Sequence, residues 1–284
     1  LLLPHLEETR LSHLPHKRYA KQNRLSVMPS PIPVEIVEIH GRSKTGYSAQ
    51  PFLCTGEDGR TYFVKLGNAT YRGLMCEWVA GRLAQKMGLP IAEFSLVSVS
   101  PSLHRALPLE LREIGHGVGF GSVAAPAGAC DCTMGMVRKL RENGRHNSLF
   151  KDLLAFDLWI RNEDRKLGDK GGNPNALTLL GLDGEVDWCL IDHDSAFDPN
   201  FDEGRYFCDH LAAETLTALW NVTAWRDKAE SAKNCLDQIW DELPEEWLVD
   251  SYGDPRLGLN LSEVETILSL PFKQESTFWN QLLP

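Results

Sequence analysis

The clearest periodicity in the chain begins at Val34. Val34-Glu35-Ile36-Val37-Glu38-Ile39 alternates apolar and polar side chains, the spacing of a half-buried strand. Pro51-Phe52-Leu53-Cys54-Thr55 reads as a second strand and Thr61-Tyr62-Phe63-Val64-Lys65-Leu66 as a third. Gly56-Glu57-Asp58-Gly59 between them supplies a hairpin turn, since Asp-Gly tolerates positive φ. From Leu74 to Met87 the period changes to that of a helix: Leu74, Met75, Trp78, Val79, Leu83 and Met87 share one face, and Gly88 with Pro90 ends the run. Ala92–Ser100 is another strand. Ser148–Arg161 is a second helix, with Leu149, Phe150, Leu153, Leu154 and Ile160 in its stripe and Asp157 among them. Val186–Ile191 is a short apolar strand. Beyond Asp209 the pattern is helical, with Ser262-Glu263-Val264-Glu265 as a capping box.

Strands with one helix, followed by a mostly helical half, predict an α+β fold of two lobes. The boundaries expected are an N-terminal arm or extension over 1–33, a sheet-rich N-lobe over 34–100, a connecting, substrate-side segment over 101–146, and a helical C-lobe over 147–284. The segment 101–146 is rich in Gly, Ala, Pro and Arg. Its Gly115-x-Gly117-x-Gly119-x-Gly121 lacks the phase of a dinucleotide fingerprint and opens no helix, so it is read as a flexible substrate-side loop. Residues 1–27 carry no periodicity; they are a loose extension or a docking segment for a partner.

Composition narrows the possibilities. The 284 residues can bury a sizeable core, and Lys+Arg 29 against Asp+Glu 39 leaves a net charge of −10, which argues against direct nucleic-acid binding. No apolar run approaches the ~20 residues that cross a bilayer, so no membrane span is expected and the reading is cytoplasmic. Seven scattered cysteines read as reduced thiols, and Cys130-x-Cys132 has poor zinc spacing.

Three elements carry candidate chemistry. Lys65 ends a β-rich run, where burial demands a partner, and Glu77 lies twelve residues on in the following helix. Such a strand-Lys and helix-Glu pair orients an amine onto nucleotide phosphates. The stretch Ile160-Arg161-Asn162-Glu163-Asp164-Arg165 through Asn173-Pro174-Asn175 ends a helix in a polar loop. It offers a carboxylate for an acceptor hydroxyl and an amide oxygen for Mg²⁺. Leu190-Ile191-Asp192-His193-Asp194 then delivers two carboxylates at a strand end, on one side if the strand continues. His193 is a positioning residue there rather than a metal ligand. Each element has a bland reading, as a surface pair, a hydrophilic turn or a capped strand. Their order is that of the parts in the protein-kinase superfamily.

On these residues the chain resembles the HipA-like kinases, in YFVKL (62–66), EWVAGRLAQKMGLP (77–90), FDLWIRNEDR (156–165), NPNAL (173–177), LIDHDSAF (190–197) and Leu243-Pro244-Glu245-Glu246-Trp247. The resemblance implies a bilobal protein-kinase-like fold that binds ATP and Mg²⁺ and phosphorylates a hydroxyl, of Ser or Thr in a protein substrate. It implies that Lys65 holds the α- and β-phosphates, oriented by Glu77, and that Asp164 is the catalytic carboxylate. Asp192 with Asn173 or Asn175 would hold Mg²⁺, and Asp194 would be a further metal ligand or exposed. Asp157, Asn162 and His193 would support the loops, and Gly41, Ser43, Thr45 and Ser48 would cover the phosphates. Many members are toxins paired with an antitoxin, so by analogy the resemblance implies an antitoxin or regulatory partner. The chain departs from the family in the extra residues Lys166–Gly172 and in Asp194, where a small residue is common. The rival expectations are a lipid or small-molecule kinase on the same fold and a nucleotide-binding pseudokinase.

Overall fold

The computed structural model describes residues 31–43, 50–142, 144, 146–168, 171–181, 185–215, 219–273 and 276–282. Most of the expected arm, together with Thr45 and Ser48, lies outside these residues. Five strands close a barrel in the order β1-β2-β3-β5-β4: β1 Val34–Arg42, β2 Phe52–Gly56, β3 Thr61–Lys65, β4 Phe94–Val99 and β5 Gly117–Val123. The β1–β2, β2–β3, β3–β5 and β4–β5 pairs are antiparallel, and β1 closes on β4 in parallel through Val34 opposite Val97. Alternation puts Ile36, Phe52, Cys54, Tyr62, Val64, Val97 and Val99 inside, where they form a core of their own.

The glycine run is therefore a strand, not a loop, and the segment 101–146 does not stand apart from the sheet. Glycine at every second position matches the two-residue period of β5. A Cβ on Gly119 would sit 2.6 Å from the Lys65 carbonyl oxygen, and one on Gly121 would sit 2.4 Å from Val97 Cγ1. Bare backbone on that face lets β5 close the barrel. Val118, Phe120 and Ser122 occupy the other face.

Between β3 and β4 runs α1, Tyr71–Met87. The Thr70 side chain caps it by accepting from Gly73 N–H at 3.0 Å, and Gly88 at φ 73° ends it. Helix α1 is buried nearly all round, because it lies between the barrel and the helical body. Helix α2 Pro101–Ala106 lies against the barrel core through Leu103. The helical body contains α3 Met134–Glu142, α4 Asn147–Trp159, α5 Glu203–Asp209, α6 Val222–Lys233, α7 Leu236–Asp241, α8 Glu245–Leu248, α9 Leu261–Leu268 and α10 Phe278–Leu282 around a second, larger core. It also carries a small sheet that the sequence reading only half anticipated: β6 Cys130–Asp131, β7 Ala176–Leu180 and β8 Val186–Leu190. The β8 edge docks on the segment before β4, with Leu190 N–H to Pro90 O at 2.8 Å and Ala92 N–H to Leu190 O at 2.9 Å. Trp247 donates from Nε1 to Val118 O at 2.8 Å, tying β5 to the body.

Helix α9 starts one residue before the expected capping Ser262. Its cap is Asn260, whose side chain accepts from Ser262 N–H at 2.9 Å, an equally good capping chemistry placed two residues earlier. The seven cysteines are unpaired. Among the described residues no helix is long and apolar enough to cross a membrane.

Asp157 lies at the centre of a buried hydrogen-bond network. It is fully buried on α4 and accepts from Asn162 Nδ2 at 3.0 Å, Arg165 Nε at 2.7 Å and His210 Nε2 at 3.0 Å. The His210 ring accepts at Nδ1 from Ala212 N–H at 3.1 Å, which fixes the neutral tautomer. Burial alone would raise the Asp157 carboxyl, but the charge of buried Arg165 and the His210 hydrogen bond outweigh it and hold the group well below the usual carboxylate range. Burial pushes His210 below its ordinary 6.5.

Two predictions follow from this network. Arg165→Met leaves the Asp157 carboxylate buried without its cation and lowers stability by about 3–5 kcal/mol, read from urea unfolding midpoints. Acidification weakens the fold in two windows. The unfolded state gains a proton at His210 below about pH 6.5 that the folded state refuses, and one at Asp157 below about pH 4; stability falls with pH through both. His210→Gln keeps a donor for Asp157 without titrating, so it loses less stability than the wild type between pH 7 and pH 5 in the same assay.

Candidate active site

Lys65 stands at the end of β3, paired in register with Phe120 of β5, and its side chain turns from the barrel toward α1 and the loop after β8. Its Nζ donates to Glu77 Oε1 at 2.7 Å, to Asp192 Oδ1 at 2.7 Å and to Asp194 Oδ2 at 2.8 Å. Three of the residues singled out by sequence thus meet around the buried ammonium of a fourth. Burial would strip the Lys65 proton, but the three carboxylates hold its pKa well above the ordinary lysine value. Burial, opposed by Lys65, pushes the Glu77 carboxyl up to about 7. For Asp192, the Lys65 charge and hydrogen bond outweigh burial and lower its pKa.

The strand does not continue through Asp192, as the same-side reading required. Strand β8 ends at Leu190, and Asp192 takes a left-handed φ of 60°. The turn, not strand alternation, brings Asp192 and Asp194 to one side. A left-handed non-glycine residue costs about 1–2 kcal/mol, and Asn175 at φ 43° is another. Such strain concentrates where side chains must be aimed.

Asp164 forms the second cluster. Its Oδ2 accepts from Asn173 Nδ2 at 3.0 Å and from Asn175 Nδ2 at 3.1 Å, so both candidate amides reach it. Burial raises the Asp164 carboxyl, the Asn175 hydrogen bond opposes this, and the charges of Asp192 and Asp194 add to the rise. Ile191 N–H donates to Asn175 O at 3.0 Å, so the backbone leading to Asp192 lies directly beside that of Asn175. Asn162 is buried and links the Asp157 network to this cluster: its Nδ2 donates to Asp157 Oδ1 at 3.0 Å and its Oδ1 accepts from Asp164 N–H at 3.5 Å. Gly41 and Ser43 lie at the base of the β1–β2 hairpin, where Ser43 N–H meets Pro51 O at 2.8 Å; the tip of that hairpin lies outside the described residues.

His193 is held at both its backbone and its ring. Its backbone N–H donates to Glu77 Oε2 at 2.8 Å, and its ring Nε2 accepts from Arg165 Nη2 at 3.0 Å. Burial and the nearby Arg165 charge push its pKa down to about 3, so the ring is neutral. Sequence reasoning gave no role to Arg165. Besides Asp157 and His193, this fully buried guanidinium donates to the carbonyls of Asn175 and Ile191, and so joins α4, the Asp164 loop and the Asp192 loop. The signal was present: a carboxylate on the apolar stripe of α4 requires a cation, and Arg165 lies eight residues on.

Beside Lys65 a cleft opens between the barrel and β8. Phe63, Ile91, Phe94, Phe120 and Leu190 form its apolar walls, while Lys65, Glu77 and Asp192 line its polar end. A flat aromatic group fits such walls and a polyphosphate such an end. The Glu77, Asp192 and Asp194 carboxylates supply hard oxygen atoms within 4.8 Å of one another, with negative charge in excess of the single lysine. That donor set suits Mg²⁺ or Mn²⁺ and not a soft metal.

Comparison with known proteins bears on this centre. Solved structures similar to the chain include a Helicobacter pylori proinflammatory kinase, CtkA, at 13% identity and a TM-score of 0.47, covering 84% of this chain and 93% of that one. The Golgi casein kinase matches at 13% identity and a TM-score of 0.47, covering 86% and 71%; its Mn/ADP-bound form matches at 13% and 0.45, covering 86% and 72%. No curated protein sequence matches. The family model described as HipA-like kinase matches residues 36–282, from β1 through α10 and across every residue of the Lys65 and Asp164 clusters. With nearly the whole chain inside that match, this protein belongs to the HipA-like kinase family, has its α+β kinase-like fold, and is a phosphotransferase.

Proposed function

We propose that the chain transfers the γ-phosphoryl group of ATP to a hydroxyl, that of Ser or Thr in a protein. In this reading the barrel is the smaller lobe of a bilobal kinase and the helical body is the larger one. The observation that carries it is the meeting of the Lys65 amine with the Asp192 carboxylate, 2.7 Å apart at the polar end of a cleft with apolar walls.

The adenine would lie between Phe63, Phe94, Phe120 and Leu190, with the phosphates toward Lys65. Glu77, fixed by His193 N–H, orients the lysine. Asp192 and Asn175 would hold a divalent cation, which supplies neutralisation of phosphate charge. Asn175 is assigned this role over Asn173 because it is buried and its carbonyl is held by Arg165; its Nδ2 points to Asp164, as that of Asn173 does, and its Oδ1 remains for the cation. Asn173 then orients Asp164. The raised pKa of Asp164 suits a group that accepts the acceptor hydroxyl's proton as the new O–P bond forms. The bond from the γ-phosphorus to the bridging oxygen breaks, and ADP leaves with that electron pair. The bulk of the acceleration comes from positioning and charge neutralisation.

Asp164→Ala is expected to lower transfer by about 10²–10⁴-fold while nucleotide binding stays within a few-fold of wild type. A radiolabel assay with protein, phosphoinositide and aminoglycoside acceptors measures the first, and calorimetry the second. Label on protein alone supports the reading; label only on a lipid or a small molecule overturns the acceptor assignment. Asp192→Ala is expected to weaken nucleotide binding about tenfold or more in Mg²⁺, because one charged ligand is lost. Wild-type turnover in both variants would overturn the site.

A further inference from the structure

An ammonium carries three N–H donors and no more. In Lys65 all three are engaged, one each with Glu77, Asp192 and Asp194. A lysine that bridges two phosphate oxygens needs two of them. Glu77 cannot yield one: its other oxygen is held by His193 N–H at 2.8 Å, and its side chain is 3% exposed. The two aspartates can. Their side chains are 33% and 26% exposed, and the remaining oxygen of Asp194 accepts only from the exposed Ser195 hydroxyl at 3.2 Å among the described residues.

We propose that Asp194 is an internal competitor for the phosphate group at Lys65, and that it leaves Lys65 for the divalent cation together with Asp192. Phosphate then reaches the lysine only when cation and nucleotide bind together. The inference rests on the site being a metal–nucleotide centre, as proposed above. Asp192 leaving frees one proton of Lys65; Asp194 leaving frees the second. The electrostatics favour the same order. Three carboxylates around one ammonium repel a polyphosphate, and two of them placed on a cation cease to do so. Asp194 is thus a positioning residue for Lys65 and a metal ligand in one side chain.

The test uses the full chain and two readouts that need no turnover. ADP binding is measured by calorimetry in EDTA and in Mg²⁺, and Mn²⁺ binding without nucleotide by electron paramagnetic resonance. The wild type is expected to bind ADP in Mg²⁺ and far more weakly in EDTA. Asp194→Ala and the isosteric Asp194→Asn are each expected to bind ADP about tenfold more tightly in EDTA and Mn²⁺ alone about tenfold more weakly, with melting temperatures confirming the fold. If both variants keep the wild-type affinities for ADP in EDTA and for Mn²⁺, the competition does not exist and this inference falls alone. If the wild type binds no ADP even in Mg²⁺, the nucleotide-site reading falls and takes this inference with it.

Discussion

A buried ammonium with no partner is untenable in this fold, and Lys65 is nearly fully buried. Its partners come from helix α1 and from the loop after β8, more than a hundred residues further along. The barrel, α1 and the small sheet must therefore dock together before the charge is compensated. The Leu190 hydrogen bonds to Pro90 and Ala92, and the Trp247 bond to Val118, hold that docking at the backbone. The arrangement is not optimised for stability. Three carboxylates share one cation, and burial leaves Glu77 with a strongly raised pKa. Sites that keep such unfavourable charge are where binding energy from a cation or a ligand is later put to use.

Arg165 does for the loops what Lys65 does for the larger units. Its guanidinium has five N–H donors in a rigid plane, and here they reach a carboxylate, an imidazole and backbone carbonyls from three different segments. Lysine, with one point of attachment, could not replace it. Because His193 is kept neutral between this guanidinium and the backbone contact to Glu77, the Asp192 loop is fixed on both sides. The Asp164 and Asp192 loops thus share a single support, although twenty-eight residues separate the two.

Much of the centre was legible in the sequence because its chemistry is local. A lysine ending a strand, a glutamate inside an apolar helix and an aspartate among leucines on α4 each break the expected pattern, and each proved to be paired. The glycine run was misread because glycine carries no β propensity of its own. What makes β5 a strand is the space its neighbours Tyr62, Leu66 and Val97 need, a tertiary demand invisible at the strand itself. Strand β7 is hidden by Asn173-Pro174-Asn175, which reads as turn, although Asp183-Gly184 ahead of β8 carries the same hairpin signal as Asp58-Gly59. The choice between Asn173 and Asn175 was open from spacing alone. Both amides reach Asp164, and burial and the Arg165 contact separate them only in three dimensions.

The backbone between Asp192 and Asp194 decides what kind of motion the centre allows. His193 is anchored through its N–H to Glu77 and through its ring to Arg165, and Ala196 N–H returns to His193 O at 3.0 Å. A loop held this way does not swing. The left-handed φ of Asp192 is part of the same fixation, since only a supported turn keeps a non-glycine residue there. Any change of partner by the two aspartates therefore takes place by side-chain rotation over a stationary backbone. Rotations of that kind in partly exposed groups are fast, on the picosecond-to-nanosecond scale, and need no domain movement. The centre can thus exchange a lysine for a cation while Glu77, His193 and Arg165 keep every contact they have.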